Sequence, residues 1–465
     1  MHTHLLPSAQ WAQLEFADAP LHDVRYSKRL VHMADRLASQ PGGTLPQAFQ
    51  EWAELKGAYR FLSDPRNTFD QIQTTHLERV RQQCRGPGEY LLLEDTTMLD
   101  FTGRCCEDMG QTGLGGRGFF LHSTLAVRVE MWNLNQRPEG MAVGLLHQQC
   151  WNRPQLHRHR GLTRRQTQDR PRESDRWASA LRGAVARPPD CQWIYIADRE
   201  ADFYEPMQRC FAASTDFVIR AFHDRRLAGT REHYLEKLAQ APLAGQMAVE
   251  LRARPGQAAR TAVVQVRCLQ VTLQGPYRGG LRRESLTVHA IEVGESSPPE
   301  GVQGLSWILL TSLPCERWSE IQRVVGRYCA RWWVEEYHKA LKSGAGIETS
   351  QLEKQYRIES LLAVLAIVAV RLLNLKLLAR AQPDEPVDLK RFGATAIKLV
   401  EKRFGAPKGG HWTYRELLRA VARMGGFIGR RGDGEPGWQN IWRGWQRLMW
   451  MTEGADLMRQ HKSCG

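Results

Sequence analysis

Between Tyr328 and Lys342 polar and apolar positions separate cleanly when the chain is wound at about 100° per residue. Tyr328, Arg331, Glu335, His338 and Lys342 fall within roughly 80° of one another by that geometry, while Ala330, Trp333, Val334, Tyr337 and Leu341 project to the other side. The pattern predicts an amphipathic helix with one buried face. Residues 1–68 also read as helical. Arg25, Lys28, Arg29, His32 and Arg36 recur at spacings of three and four and form a basic stripe, with Leu30, Met33, Ala34 and Leu37 facing elsewhere as a small core. Such a stripe suits DNA contact, and equally a solvated surface.

From residue 89 the period changes from helical to alternating. Tyr90–Glu94 reads as a short strand ending in Asp95, followed by strands at Leu121–Glu130 and Met141–Gln149. A helix is expected at about 173–187, a strand at Trp193–Ala197 ending in Asp198, a helix from Ala201 and a fifth strand at Phe217–Ala221. Three strands, helix, strand, helix, strand is the order of a ribonuclease-H-like α/β fold. In that fold aspartates closing the first and fourth strands lie on adjacent strands, and a glutamate on a later helix can join them. Further strands at Met247–Arg252, Arg260–Leu273 and Leu286–Glu292 interrupt the core as a β insertion over about 223–306. The chain therefore divides into an N-terminal helical domain (1–68), a catalytic core (69–380) and a C-terminal helical domain (381–465). The last opens with the Pro-containing stretch 381–386 and ends in a stripe at helical spacing: Trp438, Ile441, Trp442, Trp445, Leu448 and Met449. That stripe suits a core or an oligomer surface.

Composition narrows the function. The chain has 465 residues, 42% of them hydrophobic, and a formal net charge of +14. This is the balance of a globular protein with a polyanionic partner, nucleic acid before membrane. Ten cysteines are scattered singly apart from the pair Cys105–Cys106, without CxxC or zinc spacing. Reduced thiols in the cytosol are expected. The N-terminus lacks a basic-then-apolar leader. The greasiest run, Leu361–Val370, stops at Arg371 and is too short to cross about 30 Å of hydrocarbon, so it reads as a buried helix. Gly113-Leu-Gly115-Gly-Arg-Gly118 matches GxGxxG but precedes a strand, which argues for a loop rather than a dinucleotide site.

Asp95, Asp198 and Glu335 are the candidate chemistry. Three carboxylates on rigid elements suit two divalent ions about 3.5–4 Å apart for in-line phosphoryl transfer, with Mg²⁺ the natural choice and Mn²⁺ a substitute. Glu94, Glu200, Asp202 and Glu336 are neighbours that alternation or helical phase turns mostly elsewhere. Taken singly, each aspartate could be an ordinary strand-end residue, and Arg331 with Glu335 an ordinary i,i+4 pair.

The spacing Tyr-x2-Arg-x3-Glu-x6-Lys, together with Gly57-Ala-Tyr-Arg-Phe61, Glu94-Asp-Thr-Thr97, Gly144-Leu-Leu-His-Gln148, Asp198-Arg-Glu-Ala-Asp202, Glu335-Glu-Tyr-His-Lys-Ala340 and Val368-Ala-Val-Arg-Leu-Leu373, resembles the insertion-sequence-4 family of DDE transposases. The likeness runs collinearly through nearly the whole chain. It implies cut-and-paste transposition: strand cleavage, hairpin formation and resolution, and joining to target DNA, with Asp95, Asp198 and Glu335 holding two metal ions. It implies DNA contacts for Tyr328, Arg331 and Lys342, for His338 and Lys339 within the shared string, and for Arg220. Trp307, twenty-one residues before Tyr328, corresponds to a tryptophan associated with a flipped base, and Arg29 and Arg60 to residues that read the end sequence. The implied partners are double-stranded DNA, as transposon-end inverted repeats and as target, and a second copy in a paired-end complex. The implied setting is the cytoplasm, at the nucleoid and not at a membrane. The segment 381–412 and much of the N-terminal recognition stretch depart from the family pattern. A non-catalytic end-binding repressor, and more weakly a nuclease without strand transfer, are the competing readings.

Overall fold

Alternating residues from Gly88 onward fold as a long antiparallel meander. β1 (Gly88–Asp100), β3 (Arg117–Trp132) and β4 (Pro138–Trp151) pair in succession, and the short β2 (Gly110–Gln111) closes onto β3. β5 (Cys191–Ala197) and β6 (Asp216–Arg220) then join parallel to the other side of β1. The resulting order β4-β3-β1-β5-β6 is a ribonuclease-H-like core, as the succession of elements predicts. The computed structural model describes residues 6–462 apart from 50, 105, 107, 114, 154–172, 183–187, 253–256, 279, 388–393, 408 and 431–432.

Several details differ from the pattern-based expectation. Asp95 does not end its strand: β1 continues to Asp100, paired residue for residue with β3 from Asp95↔Ser123 to Asp100↔Gly118. Thr96 and Thr97 read as turn-like but are β-branched and suit the ladder. In place of one helix at 173–187 there are two short 3₁₀ turns, Glu173–Arg176 and Ser179–Leu181. Between them Ala178 takes a left-handed conformation, φ 56°; the remainder of that expected helix lies outside the described residues.

The β insertion does not form a separate sheet. After α6 (Tyr204–Ala212) and α7 (Tyr234–Gln240), strands β7 (Leu243–Leu251), β8 (Arg260–Leu273), β11 (Leu286–Glu295) and β12 (Ser306–Thr311) extend the core sheet, because β12 pairs antiparallel with β6. The open edge of β6 is thereby covered. A two-stranded ribbon, β9 (Tyr277–Arg278) with β10 (Leu281–Arg282), stands apart. The GxGxxG segment forms the turn between β2 and β3, where Gly113 and Gly115 take positive φ.

The helical face from Tyr328 to Lys342 is segmented. α8 (Trp318–Ala330) ends at Arg331, α9 (Trp332–Lys339) begins after it, and a widened π turn follows at Ala340–Gly344. The expected apolar side is buried: Ala330, Trp333, Val334, Tyr337 and Leu341 all belong to the core. α10 (Gln355–Ala381) runs well beyond Arg371, to 27 residues, so length alone would let it cross a membrane; 89% of its most apolar window is buried inside the protein. The helix continues past Arg371 because that guanidinium lies over the Trp11 ring, 5.3 Å from its centroid.

At the N-terminus α1 (Ser8–Phe16), α2 (Val24–Ser39), α3 (Leu45–Ala48) and α4 (Trp52–Leu62) enclose Trp11, Phe16, Leu30, Met33, Phe61 and Leu62. Asp23 caps α2 through the Arg25 amide, and a Thr68/Gln71 capping box opens α5 (Phe69–Gln83). Buried Glu15 on α1 bonds His76 (2.6 Å) and Arg79 on α5, while His76 Nε2 accepts from the Leu145 amide of β4 at 2.9 Å. These bonds join the N-terminal helices to the sheet. At the other end, α12 (Tyr414–Met424) packs on α10, and α11 (Ala394–Phe404) and α13 (Trp438–Lys462) pack against α12 and each other. α12 and α13 approach so closely that a Cβ on Gly444 would fall 1.7 Å from the Val421 carbonyl oxygen. The stripe of α13 is therefore core: Trp438, Ile441, Trp442 and Leu448 are buried within the protein. Among the described residues of α13, Trp450, Met451 and Met458 are apolar and exposed.

Candidate active site and nucleic-acid interface

Parallel pairing of β1 with β5 sets the two aspartates. The last registered pair is Leu93 with Ile196, so two residues further on Asp95 and Asp198 emerge side by side. Asp198 caps a 3₁₀ turn, accepting from the Glu200 amide at 2.8 Å. Glu335 comes from α9, which packs over β1. One guanidinium stands among them: Arg331 at the α8–α9 junction bonds Glu335 and lies 3.9 Å from the Asp95 carboxylate. Burial opposes the Arg331 charge, but Tyr328, Asp95, Glu335 and Asp198 outweigh it and raise its pKa. Burial pushes the Glu335 carboxyl above its ordinary value, Asp95 adds to the effect, and Arg331 only partly offsets it. For Asp95 burial also acts upward, but His338 and Arg331 prevail and hold it below the carboxylate range.

Glu200 joins the group. Its carboxyl is raised by burial and then by the nearby charges of Asp198 and Asp95. The 3₁₀ turn after β5 ends the two-residue period there. Glu94 does turn away, to the opposite face of β1, where it accepts from Thr124 (2.9 Å), the Ala178 amide (2.7 Å) and Tyr195. Asp202 is buried and paired with Arg225 at 2.6 Å.

Beside the carboxylates is a cavity of about 300 Å³ lined by Arg220, Arg252, Arg260, Trp307, Tyr328, Arg331, Trp332 and Glu335, among other residues. The Trp307 ring meets Tyr328 edge-on, and the Arg220 guanidinium bonds the Ser306 carbonyl at 3.3 Å. Lys339 is exposed, with its ammonium over the Trp332 ring at 4.3 Å. The structure thus brings Asp95, Asp198, Glu335, Tyr328, Arg331, Trp307, Arg220 and Lys339 to one cleft. Lys342 sits further along β1, donating to the Met98 carbonyl and 3.4 Å from Glu348. His338 is buried, 3.7 Å from Asp95 and 3.3 Å from Ser123, where it bears on Asp95 rather than on solvent. Arg29 and Arg60 are exposed on α2 and α4, Arg29 lying across Gly57 with a 3.3 Å bond to its carbonyl. Pattern reading passed over Arg252, Arg260 and Trp332 as site residues, since only the sheet extension brings β7 and β8 to the cleft.

Two family matches fall on either side of this core. Residues 8–67 match the transposase DNA-binding family, and residues 367–465 match the transposase Tn5 dimerisation domain. Both ends of the chain are those of a Tn5/IS4-type transposase. The DNA-binding match spans α1–α4, where Arg25, Lys28 and Arg29 of the basic stripe are exposed while His32 and Arg36 pair with Glu54, and the dimerisation match runs from within α10 onward.

The donor set of this transposase is all oxygen, which suits a hard divalent cation. Among the described residues no three His, Cys, Asp or Glu side chains already form a cation cage. The Glu335 carboxylate is engaged by Arg331.

Proposed function

We propose that this transposase cuts and joins DNA at transposon ends, with Asp95, Asp198 and Glu335 as the ligands of two Mg²⁺ ions. The observation that carries the reading is the convergence of three carboxylates from β1, β5 and α9 around Arg331, beside a cleft whose lining includes four arginines and three aromatic side chains. When bound, the ions would supply an activated nucleophile and stabilise the leaving oxygen of an in-line displacement.

The chain's own residues account for the rest. Arg331 holds a scissile phosphate and releases Glu335 as it does so, since the phosphate offers it bidentate acceptors in place of the carboxylate. Tyr328 and Arg220 hold phosphates on the Trp307 side of the cleft, and Lys342 on the far side along β1. Trp307 and Trp332 give the cavity aromatic walls on which an unstacked base can lie, as strand-end hairpin formation requires. Arg29 and Arg60 read the end sequence. The dimer pairs two ends, and successive displacements would nick, close a hairpin, reopen it and join the end to target DNA.

The test is a linear DNA bearing the element's own flanking inverted repeats, incubated with the protein and Mg²⁺ or Mn²⁺. Nicked, hairpin and joined products are expected, all abolished by chelation. The Arg331–Glu335 bond favours a second reading, in which the protein occupies ends as a non-catalytic repressor. Tight end binding without any cleavage in either metal would decide for that alternative.

A further inference from the structure

Glu336 follows Glu335 on α9, and helical phase turns its carboxylate about 100° from the cleft, into the core. It is 5% exposed. Each oxygen takes two donors. Oε1 accepts from Arg252, just after β7, at 3.0 Å and from Trp332 Nε1 on its own helix at 2.9 Å. Oε2 accepts from Lys376 Nζ of α10 at 2.6 Å and from Trp438 Nε1, the first residue of α13, at 2.7 Å. The two tryptophans also face the two cations: Arg252 lies 5.3 Å from the Trp332 ring centroid and Lys376 4.6 Å from that of Trp438.

α9 needs such an anchor. It is eight residues long, bounded by a one-residue break in the helical ladder at Arg331, whose dihedrals stay helical, and by a π turn, so regular helical hydrogen bonding holds it firmly at neither end. Its apolar contacts through Trp333, Val334 and Tyr337 set depth, but hydrophobic burial is non-directional. Charge-assisted hydrogen bonds are directional.

We infer that Glu336 is a positioning residue that fixes the rotation of α9, and with it the direction of Glu335, making the first turn of α13 part of the active-site frame. The inference rests on the reading of Glu335 as a metal ligand. Cleavage competence then depends on how α13 is seated, through Trp438, as well as on the carboxylates themselves.

The experiment uses the full-length protein bound to end DNA, with Mn²⁺ occupancy followed by electron paramagnetic resonance beside cleavage, end binding and thermal unfolding. Trp438→Phe keeps the ring and removes one donor. It is expected to fold, dimerise and bind ends like the parent while needing about tenfold more Mn²⁺ for half-occupancy, with a smaller change in rate at saturating metal. Glu336→Gln leaves two cations uncompensated and should also unfold at lower temperature. Glu336→Gln with Lys376→Met should recover the unfolding temperature without recovering Mn²⁺ affinity. Glu335→Gln is the reference. If it retains full Mn²⁺ affinity, the ligand reading itself fails. If it loses affinity while both Trp438→Phe and the Glu336/Lys376 double variant bind Mn²⁺ like the parent, the ligand reading stands and the positioning role is overturned.

Discussion

The Trp307 indole meets the Tyr328 phenol edge-on, with ring centroids 5.0 Å apart and planes inclined at 72°. Tyr328 is buried and Trp307 only half-buried, and both rings line the 300 Å³ cavity. An indole held this way is a stacking platform, and a base on such a platform contributes about 1–3 kcal/mol. Trp307→Ala should therefore leave the first nick nearly unchanged and slow hairpin formation by about tenfold or more. Gel resolution of nicked and hairpin products over time checks this. An equal loss of both steps together with a lower melting temperature would mean that Trp307 serves only as core.

Asp95→Ala, Asp198→Ala and Glu335→Ala should each abolish metal-dependent cleavage and leave end binding within about twofold, because binding energy comes from many phosphate contacts elsewhere. Cleavage and gel-shift assays on the same preparations separate the two. Near-parental cutting by any one of the three removes that residue from the ligand set.

The candidate triad could be nominated from the sequence because its signals are local: a polar residue after an apolar run at Asp95 and at Asp198, and a carboxylate on a helix of clear period, although β1 itself continues past Asp95 to Asp100. What lay hidden was tertiary. Nothing in the alternation of β12 says that it will pair with β6, yet that pairing carries Arg252 and Arg260 to the cleft. Glu336 looks like any polar helix residue until its donors arrive from β7, α10 and α13. The Trp438–Met449 stripe has the same spacing whether it faces its own chain or another copy; the close approach of Gly444 to Val421 and of Trp442 to Gly42 decides for its own chain.

Arg29 and Arg60 test the DNA-binding unit. If each contacts an end phosphate, Arg29→Ala and Arg60→Ala should each reduce the log–log salt slope by about 0.9 per contact. If either reads a base, specific binding should weaken more than non-specific binding, by about 1–3 kcal/mol. Fluorescence anisotropy across a salt series on end and scrambled duplexes distinguishes the cases. Unchanged affinity and slope in both variants would move the reading surface off α2 and α4.

His147 on β4 gives a pH dependence. Burial lowers its imidazole from 6.5 to about 4. The unfolded chain thus binds a proton below pH 6.5 that the folded one refuses until about pH 4, so stability is present above pH 6.5 and lost as pH falls through that window. The loss should reach about 1–3 kcal/mol at the acid end. Urea unfolding of parent and His147→Gln at several pH values checks the sign: the variant's stability should fall less between pH 6.5 and 4. Parallel pH profiles for the two proteins would remove His147 as the cause.

Burial of the Trp438 stripe moves the search for the dimer face further along α13. Trp450, Met451 and Met458 are 51%, 38% and 63% exposed, and their spacing of one and seven keeps them on one side of the helix. A dimerisation unit that leaves these side chains in solvent as a monomer buries them against a second copy most economically through the same helix. Trp450→Glu with Met458→Glu should give a folded monomer by sedimentation, binding a single end with near-parental affinity but unable to pair two ends. If each active site serves the end held by its partner, mixing Glu335→Ala with a protein defective in end binding should restore part of the cleavage. The Trp450/Met458 variant should fail to support that rescue. A doubly substituted protein that remains dimeric, or that cuts isolated ends efficiently as a monomer, would place the pairing surface elsewhere.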